Sequence, residues 1–187
     1  MLEFDVLSWK RALKMILELS EKIASDNFNP DIIIAILRGG MIPARALSDV
    51  LNIDALGTLG LSFYKTIAET KDKPKVTQEV NVDISGKRIL IVDDVADTGE
   101  TLIEAVNYLR RKGAKEIKVA TLHIKPWSKF VPDFVIEKTD KWIVYPWEYF
   151  EFLKDMEIKK EKLSRDEQIN AEKALRMVKN LINDLKN

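Results

Sequence analysis

Between Arg88 and Thr101 the chain reads RILIVDDVADTGET, an order of residues that few folds can accommodate. Ile89, Leu90, Ile91 and Val92 form a short unbroken apolar run rich in β-branched residues, the pattern of a strand buried on both faces of a parallel sheet. Asp93 and Asp94 follow at once. A carboxylate pair is expensive to bury without partners, so it is expected where the strand leaves the sheet and meets solvent, a ligand or a cation. Open α/β sheets keep their sites at that edge.

The second half, Asp97, Thr98, Gly99, Glu100 and Thr101, is a polar turn that runs into an amphipathic helix. Leu102, Val106 and Leu109 keep helical spacing, Arg110 to Lys112 fill the last turn, and Gly113 suits the C-terminal cap. Such a turn directs backbone N–H groups, two hydroxyls and the positive end of a helix dipole to one place, which makes it a phosphate cup. Beside two acids that can accept from hydroxyls, the cup suits a sugar phosphate.

A second buried run, Ile32 to Leu37, ends on Arg38, Gly39 and Gly40, and Pro43 fits the first turn of a helix through Val50. Two glycines and a forked guanidinium can grip pyrophosphate; a plain strand-to-helix turn would account for the glycines alone. Ile53 to Phe63 reads as a strand with an irregular end. Tyr64 to Gln78 is lysine-rich, contains Pro74, and reads as a long loop that either serves function or is simply solvated. Ile117 to Ile124 is a further strand, in which the lone His123 is assigned an interior place and no chemistry. Lys125 and Pro126 end it, on the edge that carries Asp93 and Asp94 if the strands are parallel, which makes Lys125 a candidate donor to a ligand at that edge. Phe134 to Ile136 is one more short strand. Strands alternating with helices predict an α/β fold with a mostly parallel central sheet flanked by helices.

Ser8 is placed to cap a helix with apolar positions Leu13, Ile16, Leu17 and Ile23, stopped by Asn27 to Pro30. At the other end Ser164 and Glu167 form a capping-box pattern, and Ala171, Ala174, Val178, Leu181 and Leu185 alternate spacings of three and four. The expected organisation is a main domain over 1–163 and a C-terminal helical extension over 164–187. Thirty basic and thirty acidic residues cancel, so bulk charge argues for neither nucleic acid nor an anionic membrane. The absence of cysteine removes thiolate metal sites and cysteine nucleophiles. With no signal-like or membrane-length apolar stretch, a cytoplasmic setting is expected.

The segment RILIVDDVADTGET resembles the phosphoribosyl-pyrophosphate (PRPP) motif of type I phosphoribosyltransferases. The sequence Leu37-Arg38-Gly39-Gly40 resembles that family's pyrophosphate loop. Trp142 to Glu148, WIVYPWE, is similar to the W-I-x-x-P-W-D segment of its xanthine/guanine branch. The resemblance implies the family fold, with a small hood over the sheet, and transfer of a phosphoribosyl group from PRPP to a 6-oxopurine in purine salvage. It implies that Asp93 and Asp94 meet the ribose hydroxyls and Mg²⁺, directly or through metal-bound water. Asp97 to Thr101 would hold the 5′-phosphate, Asp97 would take or orient the purine proton, and Arg38 and Gly39 would bind pyrophosphate. Lys125, Trp142 and Ile143 fall to the purine, through a donor, a stacking ring and a backbone contact. Glu148 stands where the family has an aspartate that touches metal, and Phe63-Tyr64 stands where it has a Ser-Tyr-like pair at the start of a closing loop. A homo-dimer or higher homo-oligomer is implied. A PRPP-sensing regulator of the same fold, or a transferase for another base, is the alternative.

Overall fold

The computed structural model describes residues 2–64 and 73–185. Contacts within the chain group into two units, Met15–Thr139 and a second made of Met1–Lys14 with Asp140–Asn187. The boundary falls inside the first helix, α1 (Trp9–Ser25).

The larger unit is built on strands β2 (Ile32–Leu37), β3 (Leu56–Tyr64), β4 (Lys73–Gln78), β5 (Arg88–Ala96), β6 (Glu116–Ile124) and β7 (Phe134–Lys138). They lie in the order β4-β3-β2-β5-β6-β7, and every pairing is parallel except β3 with β4. Helices α2 (Met41–Val50) and α3 (Glu100–Arg111) pack against the sheet. One core joins Ile32, Ile34 and Ile36 of β2, Ile89 and Ile91 of β5, and Leu102, Ala105, Val106 and Leu109 of α3. Residues Ile33, Ala35, Leu90 and Val92 are equally buried. A strand covered on both faces needs the unbroken apolar runs seen in the sequence, and each such side chain removed from water contributes about 1.5–3 kcal/mol.

The helix ends follow local chemistry. Ser8 Oγ accepts from Arg11 N–H at 3.2 Å at the start of α1. Gly113, at φ +90°, closes α3, with its own N–H on Arg110 O and that of Ala114 on Leu109 O, the paired bonds of a Schellman end. The stripe of α1 that faces inward runs through Ala12, Met15, Ile16, Leu19 and Ile23, whereas Leu13 and Leu17 are half exposed; of the four apolar positions expected inside, only Ile16 and Ile23 are. The region read as one long loop is also corrected. Its end, Lys73–Gln78, is strand β4, antiparallel to β3 at the sheet edge, where a proline is tolerated. The rest of that loop, residues 65–72, lies outside the described residues.

In the smaller unit β1 (Phe4–Val6) pairs in parallel with β8 (Trp142–Val144), Phe4 opposite Trp142 and Val6 opposite Val144. A 3₁₀ turn, Pro146–Glu148, leads into α4 (Tyr149–Lys159), and α5 (Arg165–Asp184) follows. Residues 164–187, expected as an extension, supply Ala171, Ala174 and Val178 to a core shared with Val6, Val144, Tyr149, Phe152 and Met156. The small alanines allow α5 to close on β1. Tyr149 donates its hydroxyl to Leu7 O, and burial pushes that hydroxyl up to about 12. Among the described residues no helix is long and apolar enough to cross a membrane.

Candidate functional site

The chain leaves β2 and β5 in opposite directions across the sheet, so the crevice beyond their C-terminal ends is a topological switch point. Their mutual pairing stops at Ala35 opposite Val92, while β5 continues on β6 as far as Ala96 opposite Ile124. Asp93 and Asp94 were expected just after the strand. They lie inside it, at the point where it loses β2 as a neighbour. The acids thus keep one rigid ladder and gain one open side. As successive residues of a strand they point to opposite faces. Asp94 is buried and Asp93 half-buried, with the Asp94 N–H donating to Asp93 Oδ1 at 3.0 Å.

The Arg38–Gly40 turn, entered through a cis peptide between Leu37 and Arg38, crosses this open side. A Cβ on Gly39 would stand 2.3 Å from Asp94 Oδ2, and one on Gly40 would stand 2.2 Å from Val92 O. Neither glycine has a positive φ. They are required for close approach to β5, not for an unusual backbone conformation. Arg38 itself is exposed at the same edge.

Gly99 needs its lack of a side chain twice over: its φ is +80°, and a Cβ would lie 2.6 Å from Phe130 N. That left-handed residue starts α3, with Glu100 N–H on Thr98 Oγ1 at 3.3 Å. Thr101 and Leu102, in the first turn, have amides with no acceptor inside the helix. An open cup of about 390 Å³ is lined by Asp93, Val95, Ala96, Asp97, Thr98, Gly99, Thr101 and Leu102. One acid of the pair and the glycine turn therefore line a single open cup.

A loop after β6 clasps this turn. Lys125 N–H donates to Ala96 O (3.0 Å), Lys129 N–H to Thr98 O (2.9 Å), and Lys129 Nζ to Glu100 Oε1 (2.6 Å). Between those anchors Trp127 Nε1 donates to Asp97 Oδ1 at 2.9 Å. Lys125 is buried, with Nζ 5.7 Å from the centre of the Trp127 ring. Lys125 thus stands level with Asp97, a short step beyond Asp93. His123 is fully buried in β6, as expected. Sequence reasoning passed over Trp127, although a tryptophan directly after a strand-ending Lys-Pro is a usable signal.

In the smaller unit Trp142 is 57% exposed and presents its ring, while Ile143 is buried. With Glu148, Glu151, Phe152, Asp155, Val144 and Met156 they line a pocket of about 430 Å³. Glu151 and Asp155 follow Glu148 at helical spacing and were not singled out from sequence.

A model of the phosphoribosyl transferase domain matches residues 5–157. A xanthine-guanine phosphoribosyltransferase of Idiomarina loihiensis is 34% identical over 149 residues, 78% of this chain and 87% of that protein. A hypoxanthine-guanine phosphoribosyltransferase of Schizosaccharomyces pombe is 33% identical over 175 residues, 72% of this chain and 84% of that one. Among solved structures, a purine phosphoribosyltransferase from Pyrococcus horikoshii superposes with a TM-score of 0.71 at 40% identity, covering 78% of this chain and 95% of its own.

Proposed function

The chain belongs to the phosphoribosyl transferase family, and we propose that it transfers the 5-phosphoribosyl group of PRPP to a ring nitrogen of a 6-oxopurine, releasing pyrophosphate. The observation that carries this reading is the single cup shared by Asp93 and the Asp97–Thr101 turn, in a chain whose relatives are named for xanthine, guanine and hypoxanthine.

In this reading the turn holds the 5′-phosphate on its hydroxyls and first-turn amides. Asp93 in the cup and Asp94 beside Gly39 flank the ribose and accept from its hydroxyls, directly or through metal-bound water. Arg38 and the backbone at Gly39 receive the pyrophosphate. As the bond from C1′ to the pyrophosphate oxygen breaks, the electron pair leaves with the oxygen and the sugar ring gains oxocarbenium character. The purine nitrogen then bonds to C1′, and Asp97 takes or orients the proton that nitrogen gives up. Lys125 donates to the 6-oxo group. The assignment of Trp142 and Ile143 to the base, and of Glu148 to a metal, rests on the family motif.

The acids at this edge also fit Mg²⁺: their donors are all carboxylate oxygens, which suit a hard cation, and the bare Gly39 leaves the Asp94 carboxylate its room. When bound there, Mg²⁺ would neutralise charge on the departing pyrophosphate. The family match ends at residue 157, which supports reading 164–187 as an addition to the family core. The same reading implies a cytoplasmic homo-oligomer of two or more copies.

The test is to incubate the protein with PRPP and Mg²⁺ and to measure pyrophosphate release with guanine, xanthine, hypoxanthine, adenine, uracil and orotate in turn. Release confined to the three 6-oxopurines is expected. Turnover of adenine or a pyrimidine instead would assign another base, and PRPP binding with no release would make the chain a sensor.

A further inference from the structure

We infer that Trp127 is a positioning residue for the transfer: its indole N–H holds the Asp97 carboxylate in one orientation at the rim of the phosphate cup. The inference rests on the reading of Asp97 as the group that takes or orients the purine proton.

Asp97 is exposed on a turn, where a carboxylate left to itself samples several rotamers. Trp127 Nε1 fixes one of its oxygens at 2.9 Å, and among the described residues no other hydrogen bond to that carboxylate is found, so Oδ2 is left for an incoming N–H. An indole is a donor that accepts nothing. It can orient a proton acceptor without competing for the proton, and it adds no charge that would neutralise the acid. Packing does not explain the residue, because Trp127 is 54% exposed. Its one polar atom nevertheless goes to Asp97.

The loop that carries the indole is anchored on both sides of it. Lys125 N–H on Ala96 O and Lys129 N–H on Thr98 O fasten the loop two residues to either side of Trp127. The bond from Lys129 Nζ to Glu100 fastens it again. On its other side the ring lies 5.7 Å from Lys125 Nζ, within cation–π reach. Trp127 thus links the proposed proton acceptor to the proposed 6-oxo donor.

The test uses Trp127→Phe, which keeps an aromatic ring and removes the N–H. With hypoxanthine as acceptor, kcat is expected to fall about tenfold, the effect of one hydrogen bond to a charged group. KM for PRPP should stay nearly unchanged, because the cup is untouched. In the Asp97→Asn background the same substitution should cost little more, since residues acting as a unit are not additive. Unaltered kcat in Trp127→Phe, or an equal loss in both backgrounds, overturns the inference while leaving the role of Asp97 intact. Full kcat in Asp97→Asn alone overturns that role instead. Independently of turnover, the chain has four tryptophans, and the indole N–H resonance that Trp127→Phe deletes from an ¹⁵N spectrum should shift when Asp97→Ala removes its acceptor in the otherwise native chain. A resonance that does not move also overturns the inference.

Discussion

The carboxylate of Asp94 fills the space that a side chain on Gly39 would need, with Oδ2 2.3 Å and Cγ 2.5 Å from where that Cβ would stand. Asp94 is 6% exposed, so it cannot step aside into solvent. Gly39→Ala must displace either the acid or the turn that carries Arg38. Overpacking of this kind costs roughly 1–3 kcal/mol. The expected outcome is a lower melting temperature together with a KM for PRPP raised about tenfold or more. An alanine variant with native PRPP affinity would show that the close approach of Gly39 to Asp94 is not needed to bind the substrate.

Lys125 gives a prediction about the base. Its ammonium is buried, next to the strand that carries the acids. Where a 6-oxopurine offers an acceptor, adenine offers an amine, and a site built around a hydrogen bond rejects a partner that cannot make it. Lys125→Ala should therefore lower kcat/KM for hypoxanthine and guanine about 30-fold or more and narrow their advantage over adenine. A loss of the same size for every base, read from pyrophosphate release, would move Lys125 to another role.

The ends of β2 and β5 opposite the site are pinned by a forked pair. Arg88 donates through Nη2 to Asp31 Oδ1 (2.8 Å) and through Nε and its backbone N–H to Oδ2 (3.2 and 2.8 Å). These hydrogen bonds, the side-chain ones first, hold the Asp31 carboxyl far below its ordinary value of 3.8. In the pH range just under that value the unfolded chain binds the proton and the folded one does not. Stability from this group is thus complete above the unfolded value and declines as pH falls through the folded one. The melting temperature should drop between about pH 5 and about pH 3, and Asp31→Asn should flatten part of the slope. Only part is expected, because Asp26 and Glu167 are lowered by hydrogen bonds of their own. An unchanged slope in the variant would show that the fork contributes nothing to acid sensitivity.

What could be read from the sequence was local. The runs Ile32–Leu37 and Ile89–Val92, the period of α3, and the caps at Ser8, Gly113 and Ser164 all carry their signal within a few residues. The Asp97–Thr101 turn was legible for the same reason. The pairing of β1 with β8 was not: it joins segments far apart in the chain through strands of three residues, too short to show a period. Leu13 and Leu17 looked like core because apolarity alone does not say which stripe of a helix faces inward. Strand β4 was hidden by its lysines and Pro74, which only an edge position tolerates. Asp93 and Asp94 were expected just past the strand and lie within it, because the edge arises where β2 stops pairing with β5, a long-range feature that no local signal carries. Trp127 was missed because its partner, Asp97, lies on a different loop.

Asp97→Asn is the substitution that separates holding PRPP from reacting with it. Asparagine has nearly the shape of aspartate, and its carbonyl oxygen can still accept from Trp127 Nε1, so the clasp and the cup should survive. What it cannot do is take a proton. General-base assistance of this kind contributes roughly 10²–10⁴-fold, so kcat with hypoxanthine should fall within that range while KM for PRPP changes by less than about threefold. A drop in PRPP affinity as large as the drop in kcat would make Asp97 part of the phosphate grip alone, and a kcat within about twofold of the parent would leave the purine proton to another acceptor.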